Sequence, residues 1–174
     1  MKNTMLLFTL FATFSAIAQT KTYSVSKDPG DGSVIFNGKI TFTDLDNEPT
    51  FTWLKTGREE YKPNEEKLDY LRLHLKEYAM VVFLGTWCDD SHELIPKLEK
   101  LLQMTVYPTD RLTMYGTDRA KKTKNGEHKQ YDVTLVPTII LISNGKEAGR
   151  ITESVEKSIE ADLAAIITKQ HEIR

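Results

Sequence analysis

The chain of 174 residues holds one cysteine, Cys88. No disulfide can form within it. That excludes a disulfide-stapled scaffold and any redox cycle that closes a bond between two sulfurs of one chain. Histidine is scarce too, at four residues. Asp89, Asp90, His92, Asp118 and His128 match no metal-ligand spacing and read as a solvated acidic rim, so no metal is expected. Neither sign of charge is in excess: 23 basic and 25 acidic residues leave a formal net charge of −2. That balance offers no basis for binding nucleic acid or an anionic membrane. Internal repeats and low-complexity tracts are absent.

What is present, 40% hydrophobic and 28% charged residues, is the composition of one ordinary soluble domain. Residues 1–18 read as an export signal. Lys2 gives a positive start, Met5 to Ile17 is an apolar run, and Ala16-Ile17-Ala18 is a small-residue cleavage site before Gln19. The run is short for a transmembrane span, and no cysteine follows it to carry a lipid. The mature protein is therefore expected in the periplasm, without a stable membrane anchor. In an oxidising compartment an unpaired cysteine is buried, pairs with another molecule, or is used.

Residues 19–62 form an N-terminal extension with short strands. Its first part, 19–32, is polar, turn-rich and loose. Val34, Phe36, Ile40 and Phe42 alternate around Asn37-Gly38, which predicts a hairpin turning there. Asn47-Glu48-Pro49 breaks it, and Phe51 to Trp53 reads as another short strand. From residue 63 the pattern changes. Asn64 can cap a helix whose positive first turn suits Glu65 and Glu66, and Leu68, Leu71, Leu75 and Tyr78 recur at helical spacing. Ala79 to Leu84 is continuously apolar, the mark of a strand buried on both faces. A helix is predicted from about Cys88 to Gln103, with Leu94, Leu98, Leu101 and Leu102 on one stripe. Leu112 to Gly116 is a further strand, followed by a polar loop with a lysine run from Lys121. Pro137 to Ile142 and Glu147 to Thr152 flank Asn144-Gly145, a tight-turn dipeptide. A last helix carries Val155, Ile159, Leu163, Ile166 and Ile167. This order predicts an α/β layer with a parallel core ended by an antiparallel hairpin.

Cys88 falls where a buried strand gives way to a helix, the place where sites form in such sheets. Only the thiolate is a nucleophile. The unpaired N–H groups and dipole of a helix N-terminus favour it, whereas the neighbouring carboxylates of Asp89 and Asp90 oppose it, and sequence leaves that balance open. Taken alone, a single cysteine after an apolar strand is also a common inert, buried small hydrophobe.

The surroundings add a resemblance. The strand Val81 to Cys88, Pro96 eight residues after the cysteine, Val136-Pro137-Thr138, and Asn144-Gly145-Lys146 together resemble the thioredoxin family over roughly residues 64–170. Trp87-Cys88-Asp89-Asp90-Ser91 with Arg150-Ile151-Thr152-Glu153 is similar to secreted thioredoxin-like proteins of Bacteroidetes-type bacteria. The resemblance implies a thioredoxin-like α/β fold over residues 63–174, a central mixed sheet flanked by helices. It assigns Cys88 as the attacking cysteine and Trp87 as the aromatic beside it. Val136, Pro137 and Thr138 become the segment facing the sulfur and pairing with an extended substrate, with a cis bond before Pro137. It implies no cofactor, and partners that are protein thiols or disulfides or a small-molecule thiol.

Three departures from the family pattern alter that expectation. Ser91 stands where the resolving cysteine belongs, Val82 where a buried aspartate often lies, and Glu153 where a glycine lines the groove. Asp89, Asp90 and Glu153 then make an acidic rim. One sulfur can still attack a disulfide and hold a mixed disulfide. The Ser91 hydroxyl is expected to donate a hydrogen bond to the thiolate. Release needs an external thiol, which suits isomerisation or reductase-like exchange. The alternative is a redox-inactive module that holds partners in the Trp87/Pro137 groove. His92, four residues on from Cys88, reads as an exposed helix-surface residue rather than a Cys–His pair. Asp118 and Arg119 end a strand on the side of Cys88 and border the groove. Phe51, Trp53 and Tyr61 pack beside the domain or cover a sheet edge.

Overall fold

The computed structural model describes residues 22–173, so the predicted export signal lies outside the described residues. Its centre is β3 (Ala79–Leu84), whose unbroken apolar character reflects cover on both faces. Met80, Val82 and Leu84 point into the main core, and Val81 and Phe83 into a smaller cluster with Val133, Val136 and Ile140. On one side β3 runs parallel to β4 (Leu112–Gly116), with Val82 opposite Met114. On the other it is antiparallel to β5 (Thr138–Ser143), which turns at Asn144-Gly145 into β6 (Lys146–Thr152). Two strands of the extension, β1 (Tyr23–Lys27) and β2 (Val34–Ile40), complete a six-stranded mixed sheet in the order β1-β2-β4-β3-β5-β6.

The helices are α1 (Phe42–Asp46), α2 (Thr52–Glu60), α3 (Glu65–His74), α4 (Asp89–Met104), the single turn α5 (Glu127–Gln130) and α6 (Ile159–Glu172). Their starts follow capping chemistry: Asn64 accepts from the Lys67 N–H at 3.1 Å and Ser158 from the Ala161 N–H at 3.3 Å. Leu68 and Leu71 of α3, Ile95, Leu98 and Leu101 of α4, and Leu163 and Ile167 of α6 are fully buried in the main core. Each such side chain contributes about 1.5–3 kcal/mol of burial free energy.

The extension departs from its sequence reading in two places. Asn37-Gly38 is not a turn but lies inside β2. Gly38 is needed there because a Cβ would fall 2.8 Å from the Thr22 carbonyl oxygen across the strand pair. The turn is earlier, at 28–33, where the Asp28 N–H bonds Ser33 O at 2.9 Å and the Asp28 carboxylate accepts from the Gly30 N–H at 2.7 Å. The segment read as loose thus contains β1. Phe51 to Trp53 is likewise not a strand: Thr52 and Trp53 open α2. Phe51 is buried edge-on against Phe36, ring centroids 5.1 Å apart, and Leu54 follows three residues later on the same inward face. Tyr61 donates to the buried carboxylate of Glu160, which also accepts the Asn64 N–H at 2.9 Å, tying the end of the extension to α6.

Candidate functional site

Residues 85–88 carry the chain from β3 into α4, closed by a Cys88 N–H to Gly85 O bond of 3.0 Å. Cys88 is the N-cap residue of α4, with extended backbone (φ −102°, ψ 124°). Its half-buried sulfur donates to the Val136 carbonyl at 3.4 Å, and the Val136–Pro137 peptide bond is cis. A carbonyl only accepts, so the sulfur is the donor in this arrangement, and attack on a disulfide requires this bond to open. Val136, Pro137 and Thr138 are all buried, and Thr138 Oγ1 donates to Leu135 O at 2.7 Å. Trp87 lies partly exposed beside them, its indole N–H donating to Thr117 O at 3.0 Å. The predicted strand end, Trp87, Cys88 and the 136–138 segment therefore meet at one place.

Ser91 has a partner that the sequence did not predict. Its fully buried hydroxyl oxygen accepts the Gly85 N–H at 3.2 Å and staples the loop before the cysteine. One turn into α4 the side chain points back under the loop, where a backbone donor would otherwise be unsatisfied. Asp89 and Asp90 are exposed on the first turn of α4. Glu153 holds a left-handed backbone (φ 60°), the conformation in which glycine is at ease, and its N–H donates to Pro137 O at 2.7 Å. Asp89 and Asp90 thus follow Cys88 directly on α4, and the Glu153 backbone is bonded to the cis-proline segment.

His92 is neither an exposed surface residue nor the sulfur's base. Its ring stacks on Trp53 of α2 (centroids 4.4 Å apart, 19° between planes), and its Nε2 lies 2.9 Å from Thr86 O. Because that carbonyl accepts, Nε2 carries the proton, while Nδ1 is 3.9 Å from the Asp89 carboxylate. Thr86 is a residue that sequence reasoning missed. Its hydroxyl accepts the Phe36 N–H at 3.1 Å and donates to Val34 O at 2.8 Å, fastening the thiol loop to β2. A lone threonine before a tryptophan carries no signal of such a contact.

Arg119 borders the groove as expected, and more closely: its guanidinium lies 5.1 Å from the centre of the Trp87 ring. His128 is buried on Thr123, 3.0 Å from its N–H, and Asp118 accepts the Lys122 N–H at 2.9 Å. Among the described residues, no three His, Cys, Asp or Glu side chains lie close enough together to hold a metal ion, and no helix is long and apolar enough to cross a membrane. A cavity of about 640 Å³ between β6 and α6, lined by Arg150, Asp162, Ile166 and Lys169 among others, includes none of the predicted site residues.

An α/β sheet with one sulfur at a strand-to-helix switch, faced by a cis-proline, defines a thiol-bearing domain of the thioredoxin type. The chain belongs to the thioredoxin family: the Thioredoxin family model matches residues 62–169. No curated protein matches the chain. Among solved structures, a Pseudomonas aeruginosa protein of unknown function is similar at TM-score 0.56 and 12% identity, covering 74% of this chain and 91% of its own. An HIV epitope scaffold is similar at TM-score 0.56 and 12% identity, covering 75% and 93%. The oxidized form of mitochondrial thioredoxin 3 from Saccharomyces cerevisiae shares 21% identity at TM-score 0.37, covering 60% and 88%. The likenesses at 0.56 bear on the fold alone.

Proposed function

We propose that this chain is an exported, monothiol member of the thioredoxin family, of the kind found in Bacteroidetes-type bacteria, that exchanges thiols and disulfides in the periplasm through Cys88. The observation that carries the reading is the half-buried Cys88 sulfur at the start of α4, 3.4 Å from the carbonyl before a cis-proline. Once the S–H···O bond opens and the thiol releases its proton to solvent, the thiolate attacks one sulfur of a substrate disulfide. A Cys88–substrate disulfide forms, the substrate S–S bond breaks, and the other substrate sulfur leaves as a thiolate. With Ser91 in place of a second cysteine, the adduct persists until another thiol attacks it and regenerates the Cys88 thiolate. That thiol is a small-molecule thiol or a free cysteine of the substrate, giving reductase-like exchange or isomerisation.

A second reading, a module that holds protein partners in the Trp87/Pro137 groove without turnover, draws support from Ser91 standing in place of a second cysteine, with its hydroxyl oxygen accepting the Gly85 N–H. One pair of measurements separates them. Thiol exchange predicts alkylation of Cys88 at neutral pH faster than a model thiol, and partners trapped by wild type but not by Cys88→Ala, released by reductant. Equal capture by both proteins, with ordinary alkylation, leaves the binding module standing and ends the thiol-exchange reading.

A further inference from the structure

The family match begins at residue 62, yet the loop that carries Trp87 and Cys88 is also held by residues outside the match. Thr86 is bonded to β2 on one side of Trp87, and His92 is stacked on Trp53 of α2 on the other. The contact with most to say about the site is Arg119. Its Nε donates to the Asp28 carboxylate at 2.6 Å, and its Nη2 donates to the Asp31 carboxylate and, at 3.1 Å, to Ser33 Oγ. All three acceptors belong to the β1–β2 turn. That turn is itself braced: Asp28 accepts the Gly30 N–H and Asp31 accepts the Ser33 N–H. Asp28 is only 14% exposed, while Arg119 is 43% exposed.

We propose that Arg119 is a positioning residue for the thiol site: gripped by Asp28 and Asp31 of the N-terminal turn, its guanidinium presses on the face of Trp87 and holds that ring beside Cys88. The indole N–H bond to Thr117 O fixes only one edge of the ring, and rotation about that edge is checked by what lies on its face. A guanidinium suits the task because it is planar. It donates in its own plane to two carboxylates while its face covers an aromatic ring. A lysine can supply the charge but not the fork. With both carboxylates engaged, the Arg119 charge is spent within the turn, so its role here is to hold Trp87 and not to attract an anionic substrate. The N-terminal turn thereby becomes part of the site, setting the wall that an incoming disulfide passes on its way to the sulfur.

This rests on the thiol-exchange reading only for its kinetic arm. The test uses the protein labelled with 5-fluorotryptophan, its two tryptophan ¹⁹F signals assigned with Trp53→Phe, in wild type, Arg119→Met, Arg119→Lys and the pair Asp28→Asn/Asp31→Asn. Release of the grip is expected to shift and broaden the Trp87 signal in Arg119→Met and equally in the aspartate pair, where the arginine is still present. Arg119→Lys falls between those variants and wild type. Exchange of Cys88 with a peptide disulfide is expected to change several-fold in the same order, while alkylation by iodoacetamide stays within about twofold, since a small reagent does not need the wall. A Trp87 signal that stays at its wild-type position in the aspartate pair overturns the proposal, even if Arg119→Met moves it. Should Arg119→Met fail to fold, the aspartate pair alone decides. Should wild type exchange with no disulfide, the thiol reading falls, and the ¹⁹F signals still decide the clamp.

Discussion

Replacing Gly57 by alanine pits two effects of opposite sign against each other, and the structure decides between them. Gly57 lies in the middle of α2, where helix propensity favours alanine by about 1 kcal/mol. It also lies where α2 meets α4. A Cβ there would sit 2.7 Å from Pro96 Cβ and 2.9 Å from Pro96 Cγ. Carbon atoms in contact prefer about 3.5–4.0 Å, so the helices must part by roughly 1 Å. The proline ring is locked into the α4 backbone and cannot swing aside as a flexible side chain would. Moving α2 loosens Leu54 and Phe51, both buried in the core, and overpacking of this kind costs about 1–3 kcal/mol. The net expectation for Gly57→Ala is destabilisation by about 1 kcal/mol, a fall in Tm of about 2–4 °C for a chain of this size. Thermal unfolding followed by circular dichroism measures it. Near-ultraviolet dichroism should change as well, because Trp53 rides on α2 and stacks on His92. The cause is isolated by the double variant: in a Pro96→Gly background, which removes both contacting carbons, Gly57→Ala should become neutral or stabilising. A rise in Tm for Gly57→Ala alone would refute the reasoning, since propensity would then win at a contact that has slack.

Ser91→Ala should destabilise by about 1–3 kcal/mol, because the buried Gly85 N–H loses its acceptor. The rate of Cys88 alkylation should stay within about twofold, and a large change there would restore Ser91 as a partner of the sulfur. With an acidic rim of Asp89, Asp90 and Glu153, Cys88 should exchange faster with cystamine than with oxidised glutathione, by a ratio that shrinks as salt is raised; equal rates at low salt would remove the rim from the account. The Asp31 carboxyl is lowered from 3.8 to about 2, first by hydrogen bonds from Ser33 and then by Arg119. A lowered carboxyl stabilises the fold above its unfolded value, so the stability advantage of wild type over Asp31→Asn should be whole above about pH 4 and vanish as the pH falls toward 2. An advantage that persists to pH 2 in denaturant titrations would contradict the grip on Asp31.

How much was legible in the sequence depended on how each element declares itself. β3 is apolar at every position because both its faces are covered, and α4 carries a leucine stripe behind a strand, so both were readable without the fold. β5 and β6 were marked by Asn144-Gly145, which does the local work a hairpin turn requires. β1 left no such mark: in Tyr23–Lys27 only Tyr23 is buried, so there is no alternation to find. Asn37-Gly38 was misleading because the same dipeptide serves a close approach between strands as well as a turn, and only the partner strand distinguishes the two. Phe51 and Trp53 lie two apart, which fits a strand. The structure instead sends Phe51 into the core and lays Trp53 on His92, a division of labour that depends on α4 being alongside.

The site was legible in its residue types and not in its bonds. Trp87, Cys88, Val136 and Pro137 stand together as the family pattern implies, but what each polar atom does there follows from neighbours that only the folded chain brings to it. Ser91 bonds Gly85, His92 bonds Thr86, Thr86 bonds β2, and Arg119 reaches back to Asp28 and Asp31. None of these pairs has a spacing that a motif could encode. Their common effect is to fasten the thiol loop from below while leaving its sulfur bonded to one carbonyl, a bond that a disulfide would have to displace on the thiol-exchange reading. In a two-cysteine site the second sulfur ends each encounter, so the loop has only to permit attack. Here nothing in the chain ends it. On the thiol-exchange reading, the lifetime of a Cys88 adduct would be set by whatever second thiol can pass Trp87 and the carboxylates of Asp89, Asp90 and Glu153. On that reading the walls around the sulfur, rather than another sulfur, would decide which partners are released and which are kept.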